Sequence, residues 1–308
     1  MKNNNGAWPE KSPYNRFFDF IAAAADRYAI LLELIETLGL NPTVIQVAGN
    51  RHIFIFPPWQ KSLRSSGGVF PFKGKDFFLL SAHYDRVNES PGANDNSISV
   101  FHLLKAATVL VRRKVNFWAI VFTDKEELNP GESFENQGAF TLAKKLITWG
   151  LDKARIFNFD VCGSGNAFVF STTTDIILKD SGRPNVRKVR KNIGSLRNHA
   201  LKTARSLHID NVFPVPTPFS DDVGFLRAGL AAQTITILPL AEALGYDAFL
   251  RSHGDFPNQI ISGGTKDPSI RKFLPKTWLS LNSAQDTHLR LTPEFFEQVV
   301  SFAVELCR

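Results

Sequence analysis

The chain has 308 residues, 44% of them hydrophobic, and a formal net charge of +7. No Pro/Gly/Ser-rich linker or low-complexity tract divides it, so a single domain over residues 1–308 is expected, large enough to bury a substantial core. The only two cysteines, Cys162 and Cys307, exclude a disulfide framework and a cysteine-based metal site, and no apolar run is long enough to span a membrane.

Taken in chain order, residues 14–38 read as one long amphipathic helix, with Phe17, Ile21, Ala24, Tyr28, Leu31 and Ile35 on its apolar side and Gly39 as its stop. Residues 43–47 and 52–56 read as strands around a Gly49-Asn50 turn, ended by Pro57-Pro58. His52 falls in that hairpin, away from the expected ligand edge, and reads as structural. The run Phe77-Phe78-Leu79-Leu80 is a short apolar strand that leads into Ser81-Ala82-His83-Tyr84-Asp85. After Gly92-Ala93-Asn94-Asp95-Asn96 comes a helix over about 97–112, then a second apolar strand, Phe117 to Phe122, ending in Thr123-Asp124-Lys125-Glu126-Glu127. A loop over 129–137, a helix near 139–147 and a third strand from Ile156 to Asp160 follow.

Further on, 166–171 reads as a strand and 183–205 as a helix. Pro214, Pro216 and Pro218 then punctuate a loop carrying Ser220-Asp221-Asp222, and 232–238 reads as a late strand. Residues 253–282, with Gly263-Gly264, read as a long loop of the kind that shapes clefts. A last helix starts after Thr292-Pro293-Glu294, with Thr292 as cap. Alternating strands and helices predict an α/β fold, a mixed and largely parallel sheet between helical layers.

Three of these strands deliver His, Asp and Glu side chains at their carboxyl ends, the edge where open α/β sheets bind ligands. An oxygen-rich set with a His suits zinc or a related divalent ion. A His two residues from an Asp can bind a metal through one ring nitrogen while a carboxylate orients the other. Consecutive Glu126 and Glu127 can serve metal and water separately if a turn splays them, although residue chemistry alone does not say which does which.

The stretches His83-Tyr84-Asp85, Gly92 to Asn96, Glu126-Glu127, Asp160, Ser220-Asp221 with Phe225 and Gly229, and Asp286-Thr287 resemble, in order, the M28 family of zinc aminopeptidases, which share a fold with the glutaminyl cyclases. The resemblance implies that His83, Asp95 and Asp160 bind one metal and that Asp95 bridges to a second held by Glu127. It also implies Glu126 as general base and Asp85 as the residue that orients His83. The implied activity is release of N-terminal residues from peptides or small aminoacyl substrates.

The chain departs from the family at two positions. The family closes its metal set with a His four residues before the Asp-Thr pair, and here that position is Asn282. An amide is a poorer zinc ligand than imidazole, so the second site is expected to be weak, empty or completed by a neighbour such as His253 or His288. Asp222 also stands where the family often has a His. Asp221 and Asp222 are candidates for substrate binding or for capping the turn before Phe225, and His253 is a further substrate-side candidate. Two other readings fit the same residues: a single-metal glutaminyl cyclase-like acyltransferase, which Asp221-Asp222 and Trp278 keep open, and a peptide-binding protein with an impaired peptidase site.

Much of the positive charge is local, from Arg183, Arg187, Lys188, Arg190, Lys191, Arg197, Lys202 and Arg205. With Val189, Ile193, Leu196 and Leu201 at apolar spacing, this segment reads as the solvated face of a helix. No aromatic residues interleave it, so no nucleic-acid partner is expected. Cys162 reads as a small buried residue, and His102, His199 and His208 as structural or surface residues. The N-terminus lacks a signal-type apolar core, and a cytoplasmic location is the expectation, with a processed or trimmed export signal left open.

Overall fold

The computed structural model describes residues 12–59, 72, 74–128, 131–179, 186–254, 256–258 and 271–308. Eight strands form one sheet: β1 (Pro42–Val47), β2 (Asn50–Ile55), β3 (Phe77–His83), β4 (Trp118–Thr123), β5 (Ala154–Phe159), β6 (Ala167–Ser171), β7 (Val212–Val215) and β8 (Ala232–Leu238). Their spatial order is β1-β2-β4-β3-β5-β8-β6-β7. The central four, β4-β3-β5-β8, are parallel; β2 and β6 run against them on either side. The fold is a mixed-sheet α/β domain, as expected.

Every residue of β4 and β8 is buried, which is the pattern of strands covered on both faces. Alternation along them sorts the two layers. Leu80, Ala82, Trp118, Ile120, Phe122, Phe157 and Phe159 face a core shared with helix α3 (Ile98–Arg112), the long helix Val186–Ser206 and the C-terminal helix Phe296–Leu306. Leu79, Ala119, Val121 and Ile156 face the opposite core under helix α4 (Gly138–Thr148) and Phe225. The chain leaves β3 for β4 on one side and then crosses to β5 on the other, so the carboxyl ends of β3, β4 and β5 border a topological switch point.

The expected single helix over 14–38 is instead broken. A 3-10 turn (Pro13–Arg16) and α1 (Phe17–Ile21) end at Ala22, whose ψ of 147° is extended, and α2 (Arg27–Thr37) begins afresh. Asp26 caps the new start, accepting a hydrogen bond from the Ala29 amide at 3.0 Å. The carbonyls freed at the break are not left to water: the Arg86 guanidinium donates to Ile21, Ala22 and Ala23. Apolar periodicity continues through a break of this kind, which is why the pattern alone does not reveal it.

Two other expectations change. Pro214 lies in β7 rather than in a loop; β7 is at the end of the sheet, where a residue without an amide hydrogen is tolerated. Thr292 does not cap the last helix, because its hydroxyl donates to the Gly163 carbonyl and accepts from the Gly165 amide. The basic segment from residue 186 is helical, with Ile193 and Leu196 buried and Arg187, Lys188, Arg190, Lys191, Lys202 and Arg205 exposed, as the solvated-face reading expects. Arg183 and Gly263-Gly264 lie outside the described residues.

His102 is buried within this frame. Its Nε2 faces the Cys162 carbonyl at 3.2 Å, and its Nδ1 meets the Tyr14 hydroxyl at 2.6 Å, so the neutral tautomer donates at one nitrogen and accepts at the other. Burial lowers its pKa to about 3 from an ordinary 6.5. Below pH 6.5 the unfolded chain therefore takes up a proton that the folded chain does not. Stability is expected to fall as pH drops from 6.5 toward 3, with a slope of at most about 1.4 kcal/mol per pH unit from this group. Denaturant titrations across that range check it, and His102→Gln should flatten the slope by about one proton.

Candidate metal centre

The site forms where the strands end. His83 is the last residue of β3 and is 2% exposed. Its Nε2 lies 3.1 Å from Asp95 Oδ1, 3.4 Å from Glu126 Oε2 and 3.5 Å from Asp160 Oδ1, and its Nδ1 lies 3.3 Å from Asp85 Oδ1. Ligand atoms of His83, Asp95 and Glu126 all fall within 4.8 Å of one another. Of the residues read from the sequence, the fold thus brings together His83, Asp85, Asp95, Glu126 and Asp160.

The charges explain the titration behaviour. Burial alone lowers the pKa of His83, but the carboxylates of Glu126, Asp160, Asp85 and Asp95 overcome it and hold the imidazole well above its ordinary value. Burial raises Glu126 well above the usual carboxylate range, with His83 opposing and Asp160, Asp95 and Asp221 adding to the rise. Asp95 is pushed up to about 6, again chiefly by burial. Asp85 moves the other way: burial raises it, but the His83 ring 3.3 Å away and the Glu126 amide, which donates to it, hold it below the usual range. Both ring nitrogens of His83, Oε1 of Glu126 and Oδ1 of Asp160 are buried without a hydrogen-bond partner. Crowded, unsatisfied carboxylate oxygens around one imidazole are the donor set a divalent ion neutralises, so these residues fit such an ion.

Bracing groups hold the cluster. Asp95 sits in the turn Ala93–Ser97 before α3. Asp286 accepts from the Asn94 and Asp95 amides at 2.9 and 3.0 Å. Asn94 accepts from Gly163, while Asn96 donates to Phe159 and accepts from Val161, so this turn is tied to the segment that delivers Asp160. Arg27, buried in α2, donates to the carbonyls of Tyr84, Asp85, Pro91 and Gly92, cross-linking the loop between His83 and Asp95. Arg27 gives no sequence signal, because a basic residue early in an amphipathic helix reads as surface.

The turn that separates Glu126 from Glu127 is clamped from three sides. His52 accepts from the Asp124 amide, the Gln137 side chain donates to the Glu126 carbonyl, and the Gly138 amide donates to the Lys125 carbonyl. The expectation that His52 lies away from the ligand edge is therefore corrected: β2 runs antiparallel to β4, so the start of β2 lies beside the end of β4. Glu126 points inward and is buried, whereas Glu127 is exposed and its Oε1 accepts from Asn282 Nδ2 at 2.6 Å.

A cleft of about 970 Å³ opens over the cluster, and Asp95, Glu126, Glu127, Asp160, Phe219 and Trp278 are among its lining residues. Asp221 and Asp222 are buried beneath it rather than on its surface, and both are raised to about 7, mainly by burial. The Thr123 hydroxyl donates to Asp221 at 2.5 Å. They lie in the first turn of the helix Asp221–Ala228, whose cap position is Ser220. His253 does not line the cleft; its ring stacks on Phe249, with centroids 4.1 Å apart. His288 is exposed and meets Phe18 edge-on.

The sequence pattern of peptidase family M28 matches residues 69–260. The chain belongs to this family. Among solved structures, the chain is similar to the Bacteroides thetaiotaomicron glutaminyl cyclase bound to N-acetylhistamine, with a TM-score of 0.62, 17% identity and 96% of each chain covered. It is also similar to a leucine aminopeptidase precursor from the same organism, at 0.61 and 15%, covering 96% of this chain and 95% of that one. It spans about half the length of the Bacillus subtilis zinc aminopeptidase, covering 83% of itself and 48% of that chain at 17% identity and a TM-score of 0.49. At these identities the two Bacteroides structures speak to the fold alone. No curated protein matches the chain. No helix among the described residues is long and apolar enough to cross a membrane.

A Cβ at Gly138 would stand 1.6 Å from the Asp124 carbonyl oxygen, a backbone atom that cannot swing aside. Gly138→Ala is therefore expected to displace the turn carrying Glu126. It should destabilise by about 1–3 kcal/mol or more and lower the rate of any Glu126-dependent reaction. Melting curves and turnover measured together check this.

Proposed function

We propose that the protein is a zinc-dependent aminopeptidase in which Glu126 is the general base. The observation that carries this reading is the Glu126 carboxylate itself. It is buried at the cleft floor, 3.4 Å from the His83 ring, with one oxygen unpartnered, and a protein that only binds peptides has no need of such a group. His83, Asp95 and Asp160 would hold the ion, with Asp85 orienting the His83 ring through Nδ1. A divalent ion bound there would lower the pKa of a water to about 7 and polarise a carbonyl. Glu126 takes the proton of the attacking water and returns it to the leaving amine. The cleft admits a peptide end, and its apolar wall at Phe219 and Trp278 excludes water from the side chain bound there.

A glutaminyl cyclase-like reaction is the second reading. Trp278 at the cleft wall and the overlap of the whole chain with the Bacteroides cyclase favour it. Release of aminoacyl arylamides and cyclisation of N-terminal glutamine, assayed on one preparation, separate the two. Chelation should abolish arylamide release and zinc or cobalt should restore it; full activity in metal-free protein would sink the proposal.

Glu126→Gln should keep the ion and lose about 10²–10⁴-fold in kcat, the usual contribution of a positioned general base. Metal content measured beside the rate checks it: a variant that has lost its ion shows that Glu126 is a ligand instead.

A further inference from the structure

The second ion implied by the M28 resemblance needs a ligand opposite Glu127, and the residues present do not fit one. Asn282 turns the donor end of its amide toward Glu127, with Nδ2 2.6 Å from Oε1. An ionised carboxylate only accepts hydrogen bonds, so the amide NH₂ must face it and the amide oxygen must face away. The side chain that would complete an ion site therefore presents hydrogens to it. Asn282 has φ +54°, a left-handed conformation that Asn adopts readily.

We propose that the Glu127–Asn282 pair receives the protonated α-amino group of the substrate in place of a second metal, and so restricts the enzyme to unblocked peptide N-termini. This rests on the aminopeptidase reading. Both residues line the cleft, and Glu127 is exposed to it. A carboxylate accepts several hydrogen bonds; Asn282 uses one, which leaves capacity for an ammonium with three donors. Asn282 offers its amide oxygen as an acceptor beside it. An ammonium in this place makes charge-assisted bonds, the stronger class, and neutralises Glu127 without a metal.

Position in the chain supplies the selectivity. Glu127 directly follows the proposed base, with consecutive Cα atoms about 3.8 Å apart. The α-nitrogen of a peptide is two bonds from the first carbonyl carbon and much farther from the next. An anchor on the residue next to the base favours the first peptide bond at Glu126, because every later one lies farther from the α-nitrogen. The Glu126-Glu127 turn, with Lys125 at φ +60°, is what separates the two roles: one carboxylate is buried for the water and the other is exposed for the amine.

The test uses the zinc-loaded full chain. Native mass spectrometry counts zinc. Calorimetry compares alanine, leucine and phenylalanine amides with their N-acetyl forms. The wild type should hold one zinc, and at least one free amide should bind roughly tenfold or more tightly than its acetylated form, as expected for one charge-assisted contact. Glu127→Gln should keep the zinc and lose that preference. Asn282→Asp tolerates the same backbone conformation but replaces the donor by an acceptor, and should take up a second zinc. Two tight zinc ions in the wild type, a preference that survives in Glu127→Gln, or no binding of any free amide would overturn the inference, as would Asn282→Asp holding no more zinc than the wild type. If wild-type protein releases arylamides while Glu127→Gln keeps the preference, only this inference fails. If no arylamide is released, the aminopeptidase reading fails with it.

Discussion

Mutual repulsion among buried carboxylates is the constraint around which this structure is arranged. Asp95, Glu126 and Asp160, all buried, and half-buried Asp85 converge on one imidazole at the edge of the cleft, with Asp221 and Asp222 buried nearby. Such a cluster is costly unless positive charge balances it, because burial and like charges both disfavour ionisation. His83 supplies part of that balance, and a bound divalent ion would supply the rest. Arg27 contributes fixed positive charge from behind, held by backbone carbonyls rather than spent on a single carboxylate.

Holding these groups against their repulsion requires stiff supports. His83, Glu126 and Asp160 sit at or just past the ends of parallel strands, and the loops between these strands are cross-tied. Asp286 clamps the Asp95 turn, Asn94 and Asn96 join that turn to the segment after β5, and Arg86 fastens the loop after β3 to the break between α1 and α2. The residues that match family M28 end at 260 and begin at 69. Arg27 and Asp286 lie outside that span, so this chain braces its site with elements from both flanks.

Legibility differed by the kind of signal. The apolar runs before His83, Glu126 and Asp160 are strands because short, fully apolar segments bounded by polar residues have few other ways to bury themselves. That made the strand ends, and the residues on them, readable in advance. The break at Ala22 was hidden, since Asp26 and Ala29 sit within a periodicity that runs straight on. His52 was misplaced because sequence gives no strand order: only when β2 lies antiparallel to β4 does the start of one hairpin arm meet the end of another strand. The roles of Gln137 and Gly138 carry no local signal, as the contact that requires a glycine comes from Asp124, across the loop that joins β4 to α4.

The sequence by itself determined the α/β class, the strand ends and the chemical identity of the site, because burial and side-chain chemistry are properties of short segments. It also marked Asn282 as the position where the M28 resemblance implies a ligand and the chain carries an amide. What only the tertiary structure decided is orientation. Glu126 and Glu127 are chemically identical neighbours, and nothing local distinguishes them. The turn clamped by His52, Gln137 and Gly138 buries the first, and the approach of Asn282 from a segment 155 positions away in the chain occupies the second. Those contacts exist only when distant segments meet, which is why one amide could be read as a missing ligand in the sequence and as a hydrogen-bond donor only in the fold.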